Sequence, residues 1–489
     1  MIDLLDMIFF HADASPEKPA IITGDTVLSY GMLRSGILSA EFRLRQHGLK
    51  PGHCVAVTVP SWIGHLTLIC ALYRSGIASV SVELAQIQSL DDLVVEAWLP
   101  STPSVAATVR TIALDDSWFN DKDAGGEDRR GSPLHDDGMA CRYILSSGTT
   151  GRPKVIGLTY GAVRERLISY SIRVSTPSWD RLVCMPGLST NYGFSFAITT
   201  LWLGRTVCFS FDATARETIL SHQADLLVAS THQITGLVTA QEQRFFHLAS
   251  LRAVHIGGSI AYAPLLARIR LLVCANLICG YGSTEGGTVA YAPAESIFGM
   301  DRAVGIVTPW IELEGVNADN NVEDYGQEGQ VRLRAVGRGY RHQKISPTQY
   351  EIEDSPSFYP GDQGILGRNG LLAITGRVNE IINRGGLKVA PDSIEEEFKK
   401  HPNVADAAAV GVFDGLGIEQ IWVGVVSHGG AEVDIRKMFD YCRESMALFV
   451  PDRIFQIDTI PRNQLGKVSR VELIEQLKVL ERDLALTLR

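Results

Sequence analysis

Short apolar runs alternate with helix-like stretches through most of the first 375 residues. The run CVAVTV at 54–59 is followed by apolar residues on a helical spacing around LTLICALYRSG at 66–76, and then by IASVSV at 77–82. The alternation returns in RLVCMP at 181–186, TVCFSF at 206–211, DLLVAS at 225–230 and LRAVHIGG at 251–258. Apolar runs of strand length separated by helical patterns predict mostly parallel sheets covered by helices, which is the α/β class. Between Asn120 and Gly138 the stretch NDKDAGGEDRRGSPLHDDG has no hydrophobic period and reads as a surface loop ahead of the next strand.

The pattern changes near residue 376. The stretch TGRVNEIINRGGLKVAPDSIEEEFKKHPNVADAAAVGVFD predicts a strand, a turn, a helix and a strand in a compact unit that ends the chain. The expected organisation is a large multi-sheet domain over 1–376 and a small mobile α+β domain over 377–489, roughly 110 residues and so an ordinary domain size.

Composition narrows the class of partner. Of 489 residues 45% are hydrophobic and 20% charged, the formal net charge is −10, and no block of Lys and Arg occurs. A phosphate backbone or an acidic membrane surface demands a basic face, so small molecules are the expected partners, not nucleic acid. Eight cysteines are scattered singly, without a CxxC or a His/Cys cluster, which indicates neither a disulfide framework nor a zinc site. Asp3 and Asp6 stand where a signal peptide would carry positive charge, and no uninterrupted apolar stretch is long enough to span a bilayer; the run from Cys54 to Tyr73, for example, is broken by Pro60 and His65. A cytoplasmic enzyme without a membrane span is the expectation; oligomeric state is not legible.

One stretch stands out chemically. RYILSSGTTGRPK at 142–154 sets an apolar strand against a loop of Ser, Thr and Gly that closes on Pro153 and Lys154. Successive N–H groups in such a turn form a concavity for an anion, and hydroxyls add donors without bulk, so phosphate is the natural guest. The GxxxxGK loop followed by Ser or Thr is a different pattern, because here Pro153 precedes Lys154 and Val155 follows it.

The stretch resembles the phosphate-binding signature SSGTTGxPKG of the adenylate-forming superfamily, which takes in acyl- and aryl-CoA synthetases, luciferases and the adenylation domains of peptide synthetases. Ser146, Ser147, Gly148, Thr149, Thr150, Gly151, Pro153 and Lys154 match it, and Val155 replaces the usual Gly, with an expected stiffening of the loop. The resemblance then recurs in order along the whole chain. In AVHIGGS it implies that Gly257, Gly258 and Ser259 frame the adenine, with bare backbone close to the base. In LICGYGSTEGG it implies a turn of Gly280, Gly282 and Ser283 with Tyr281 stacked on adenine, Thr284 bonding phosphate and Glu285 holding Mg²⁺, a cation that suits one hard oxygen ligand.

Further on, FYPGDQGIL is similar to the family's TGD motif, with Pro360 in place of Thr; Asp362 would accept from both ribose hydroxyls and Arg377 would donate to the same sugar. Asn379 stands where the family usually has a hinge Asp, and Asn also tolerates varied backbone angles. Gly385 and Gly386 match the double glycine past which the pantetheine arm of CoA runs. IPRNQLGKVSR resembles the PxxxxGK motif, so Lys467 is the expected catalytic cation, bridging carboxylate and α-phosphate as they meet.

What the resemblance implies is an acid–thiol ligase using ATP, Mg²⁺ and coenzyme A on a small carboxylic acid, AMP-forming. The acyl pocket is expected within residues 185–204, which carry Tyr192, Phe194, Phe196 and Trp202, with Asn191 about where amino-acid-activating members place a carboxylate. A neutral, partly aromatic lining suits an aliphatic or aromatic acid, although the same aromatics could be helix core. His232 reads as a core or surface residue. Two alternatives stay open: transfer of the acyl group to the phosphopantetheine of a carrier protein, and nucleotide binding without turnover, suggested by Val155, Pro360 and Asn379.

Overall fold

The structure is a computed structural model. It describes residues 3–487 apart from 83–92, 94, 101–109, 121–134, 147–153, 175–178, 212–213, 259–260, 262, 298–299, 301, 336–339, 347–348, 354–356, 381, 385–386, 414–418, 447–449 and 464–465. Two compact units form: one from residues 1–147, 152–313 and 333–358, the other from 148–151, 314–332 and 359–489.

The first unit is built on two sheets. In one, the strands run in the order Ala303–Val307, Gly287–Pro293, Leu277–Ser283, Ala253–Gly257, Leu226–Ser230, Arg181–Cys184, Thr206–Phe209, Pro19–Thr23 and Thr26–Ser29. Its interior pairings are parallel, and antiparallel pairs occur toward both ends. The other sheet places Ala140–Ser146, Ala78–Ser81, Cys54–Thr58 and Ala97–Pro100 in parallel, with the antiparallel strands Lys154–Thr159, Tyr340–Ser346 and Gln349–Glu353 added on one side. The α/β reading holds, and the apolar runs are the parallel strands: every residue of Leu226–Ser230 and Ala253–Gly257 is buried because both faces are covered.

Helix Trp62–Arg74 lies in the shared core, with Leu66, Leu68 and Leu72 packed among Val55, Val57, Cys184 and Phe196. Ser61 caps it by accepting from the Gly64 N–H, and Thr190 does the same for helix Asn191–Trp202 through Gly193. A polar network sits inside this apolar mass. Arg142, 1% exposed, donates to Ser79 Oγ (3.1 Å), Ser81 Oγ (3.0 Å) and the Leu188 carbonyl (2.5 Å), and its guanidinium lies 4.4 Å from the centre of the Phe194 ring. His65 Nε2 lies 2.7 Å from Ser81 Oγ.

Burial, and then the nearby Arg142 charge, push the His65 pKa down to about 3 from 6.5. Folding stability from this residue is therefore complete above about pH 6.5 and is lost as the pH falls toward 3, because the unfolded chain takes up the proton first. The ring keeps some solvent contact, which trims the loss below the roughly 5 kcal/mol that such a gap corresponds to. His65→Gln is expected to lose less stability than the wild type between pH 6.5 and 4 in urea titrations. Equal losses would show that His65 ionises normally.

In the second unit, Asp362–Leu366 and Leu371–Arg377 form a hairpin, with residues 328–330 paired along its first strand. The strands Val404–Phe413, Glu419–Ser427 and Arg453–Gln456 make a three-stranded sheet. Alternate side chains divide between its faces: Ala407, Ala409, Ile421 and Val423 meet Phe398 and Met438, whereas Ala408, Val410 and Trp422 meet Leu473 and Leu477. After 376 a strand, helix and strand are expected and found at Ile382–Arg384, Pro391–Lys399 and Val404–Phe413, but a second short strand, Leu387–Val389, pairs antiparallel with the first before the helix begins.

All eight cysteines are free thiols, seven of them buried and Cys274 half-buried. Among the described residues no group of His, Cys, Asp and Glu is set to hold a metal, and no helix is long and apolar enough to cross a membrane.

Candidate active site

Strand ends of the first unit carry most of the candidate nucleotide residues. Ser146 closes one strand and Lys154 opens the next, and the two are paired across the antiparallel strands. Ser147, Gly148, Thr149, Thr150, Gly151 and Pro153 lie outside the described residues. Val155 is not in the loop: it pairs with Leu145 and is buried with Tyr143 and Val80, so its bulk serves the core at the base of the loop.

Gly257 ends its strand beside Gly280, in the parallel register that pairs Ile256 with Cys279. A Cβ on Gly257 would fall 3.0 Å from the Gly280 carbonyl oxygen and 3.4 Å from the Tyr192 ring, a tight approach that a side chain could take only by displacing its neighbours. Gly258 follows at φ +92°, a left-handed turn out of the sheet that a side chain would strain. Ser259 lies outside the described residues.

The strand Leu277–Ser283 returns as Gly287–Pro293 through a tight turn of Thr284, Glu285 and Gly286. A register shift between Tyr281 and Gly282 breaks the alternation of side chains, which re-aims the residues after it. Ser283 Oγ accepts from the Gly286 N–H at 2.9 Å and ties the turn internally. Tyr281, Thr284 and Glu285 are all half-buried.

Sequence reasoning missed Arg166, on helix Tyr160–Val174. Its guanidinium, 5% exposed, donates from Nη2 to the Thr284 and Glu285 carbonyls (3.0 and 2.6 Å) and from Nη1 to Asn191 Oδ1 (2.9 Å). Burial pushes its pKa down, and the neighbouring Tyr170 and Glu285 oppose that fall. The buried side chains of Leu158, Val163, Tyr170, Phe194 and Ser195 lie around it, with no room for a water molecule among them. The expected acid-binding stretch is largely helix Asn191–Trp202, on which Phe194 and Phe196 are core residues. Tyr192 is half-buried, its hydroxyl 2.8 Å from Nδ1 of the buried His255. His232 is on the surface of helix Thr231–Gln243.

The second unit holds the remaining candidates. Asp362, buried at the start of its strand, faces Arg377 at the end of the neighbouring one, and Arg377 Nε lies 3.1 Å from Asp362 Oδ1. Asn379 falls in the short 3₁₀ turn Val378–Glu380. Gly385 and Gly386 lie outside the described residues. Lys467 sits in a loop pinned by reciprocal bonds: its N–H donates to Asn463 Oδ1 (3.0 Å), and the Asn463 N–H donates to the Lys467 carbonyl (2.8 Å). Gly466, at φ +75°, makes the preceding turn, and Arg462 holds its carbonyl at 2.7 Å. Arg470, three residues on, donates to Glu380 (2.9 Å), Glu395 (2.7 Å), Asp392 (3.3 Å) and the Ala409 carbonyl (2.6 Å).

These donor sets fit a nucleotide and a hard cation. The strands of Gly257 and Gly280 pack closely against each other and against Tyr192 and His255, and the turn that follows Ser283 offers a hydroxyl and a carboxylate, the oxygen donors that Mg²⁺ takes. Asp362 supplies a rigid two-oxygen acceptor of the kind a pair of hydroxyls needs.

Residues 8–340 match the family described as AMP-binding enzyme, and residues 393–467 match the AMP-binding enzyme C-terminal domain. Among curated proteins the chain is similar to enterobactin synthase component E of Escherichia coli, 27% identical with 97% of this chain and 94% of that protein covered. It is similar also to a feruloyl-CoA synthase of an Amycolatopsis species, 25% identical over 95% of this chain and 96% of that one. In fold it is like the o-succinylbenzoate CoA synthetase of Bacillus subtilis, solved with an acyl-adenylate intermediate: the TM-score is 0.82 at 22% identity, over 96% of this chain and 97% of that one.

Proposed function

Because the chain belongs to the AMP-binding enzyme family, we propose that it is an AMP-forming acid–thiol ligase, which activates a carboxylic acid with ATP and passes the acyl group to coenzyme A. The observation that carries this reading is that both family domains match, and that the match to the small one ends on Lys467. A protein that only binds nucleotide has no use for a second domain bearing that cation.

The acid is already ionised and needs no general base. Its carboxylate oxygen attacks the α-phosphorus of ATP, the bond to the β-phosphate oxygen breaks, and pyrophosphate leaves. The CoA sulfur then attacks the carbonyl carbon of the acyl adenylate, and AMP departs with the bridging oxygen. Alignment and charge neutralisation are what the protein must supply. In this reading Lys154 and the loop from Ser146 to Gly151 hold the phosphates, and Gly257, Gly258, Ser259, Gly280, Tyr281, Gly282 and Ser283 frame the adenine. Thr284 bonds phosphate, and Asp362 and Arg377 hold the ribose. Mg²⁺ bound by Glu285 would neutralise phosphate charge. Lys467 serves the first half-reaction, and the domain over 377–489 then swings to bring Gly385 and Gly386 to the thiol. A reducing compartment such as the cytoplasm suits the eight free thiols.

The half-buried Tyr192 and the apolar walls beside it favour an aliphatic or aromatic acid without a cationic group. The test is pyrophosphate release by the purified protein with Mg·ATP over a panel of aliphatic, aromatic and amino acids, each with and without CoA. Release that depends on the acid and rises with CoA is expected. Release indifferent to CoA would move the acceptor to a carrier-protein phosphopantetheine. ATP binding without release for any acid would leave a nucleotide-binding role.

A further inference from the structure

We infer that Arg166 is a positioning residue for the first half-reaction: it fixes the Thr284–Glu285 turn to the start of the acid-pocket helix. The consequence for catalysis rests on the ligase reading, whereas the clamp itself stands on geometry. Arg166 reaches the backbone carbonyls of both functional residues of the turn, so it can fix the position of the Thr284 hydroxyl and the Glu285 carboxylate without using up either group in those bonds. The third bond anchors it to Asn191, the first residue of helix Asn191–Trp202, whose Oδ1 also accepts from Ser195 Oγ at 3.3 Å.

A guanidinium suits this task. Its donors diverge in a rigid plane, so one side chain can hold two carbonyls on one side and an amide oxygen on the other; an ammonium is a point donor and cannot span them. Ser283 ties the turn internally, and Arg166 ties its backbone to the helix. The same guanidinium thus ties the first residue of helix Asn191–Trp202 to the backbone of Thr284 and Glu285. An error of about an ångström in a cation-binding carboxylate is enough to cost on the order of a hundredfold in rate.

Two variants and two readouts test this. In ligand-free protein, amide hydrogen exchange of the segment 282–288 is expected to accelerate at least about tenfold in Arg166→Met and in Arg166→Lys, with the strand Leu226–Ser230 unchanged as the control for folding. In the active wild-type background, Arg166→Lys is expected to raise the Mg²⁺ concentration needed for half-maximal pyrophosphate release about tenfold, with a smaller change in KM for the acid. Unchanged exchange in both variants would overturn the clamp. So would a rise confined to the acid KM, which would make Arg166 a wall of the pocket. If the wild type releases no pyrophosphate, the ligase reading fails, and the exchange experiment still decides the clamp.

Discussion

Lys467→Ala is expected to cut acid-dependent pyrophosphate release about 10²–10³-fold, the loss that follows removal of one preorganised donor from developing negative charge. In the ligase reading the first half-reaction brings two anions together, and Lys467 would supply the cation between them. The Asn463–Lys467 reciprocal bonds, the positive φ of Gly466 and the Arg462 bond to the Gly466 carbonyl all fix backbone, so the substitution leaves the loop itself in place. Arginine is a poor substitute, because its planar fork has a different reach from a compact ammonium. Thioester formation from supplied acyl adenylate should stay within a few-fold of wild type, since that step uses no α-phosphate attack. A loss of equal size in both half-reactions would mean that Lys467 supports the fold of the loop and does not act on the reacting groups.

The largest stability effect is expected at Arg470. Its four acceptors come from three separate elements, and three of them are carboxylates: Glu380, Glu395 and Asp392. Burial alone would depress the guanidinium pKa, but these acids outweigh it and raise it. Arg470→Met would leave three acids gathered around a neutral side chain, at a cost of about 3 kcal/mol. Urea unfolding of the full chain at neutral pH measures it. Arg470→Lys keeps the charge but not the fork and should fall between, whereas a loss below about 0.5 kcal/mol would place the pairs among surface bridges that contribute little.

Much of this molecule was legible in one dimension, for definite reasons. Parallel strands buried on both faces are uniformly apolar, so runs such as DLLVAS announce themselves, and the helix and strand at 391–413 are legible in the pattern, whereas the three-residue strand Leu387–Val389 is too short to show a period. The antiparallel strands of residues 328–377 carry mixed polar residues, as in EGQVRLRA, and nothing local marks them as partners. Val155 illustrates the same limit: beside a glycine-rich motif it looks like a loop residue, and only its cross-strand pairing with Leu145 makes it core. Arg166 was invisible because its partners in the turn are 118 and 119 positions away. A cation on a helix of mixed polarity normally faces water, and its burial against two carbonyls is decided by the long-range path of the chain. The buried Arg142 with Ser79 and Ser81 was hidden in the same way, inside runs that read simply as strands.

The state of the cysteines makes the protein quiet toward thiol reagents. Burial raises the pKa of every one of them, so at neutral pH hardly any thiolate is presented, and Cys274 alone has appreciable contact with solvent. A disulfide dye can therefore follow the disappearance of free CoA directly in the reaction mixture, with a background of about one slow equivalent from the enzyme. The same inertness leaves Cys274 as a ready-made attachment point for a fluorophore, with no need to rebuild the core around seven replaced sulfurs.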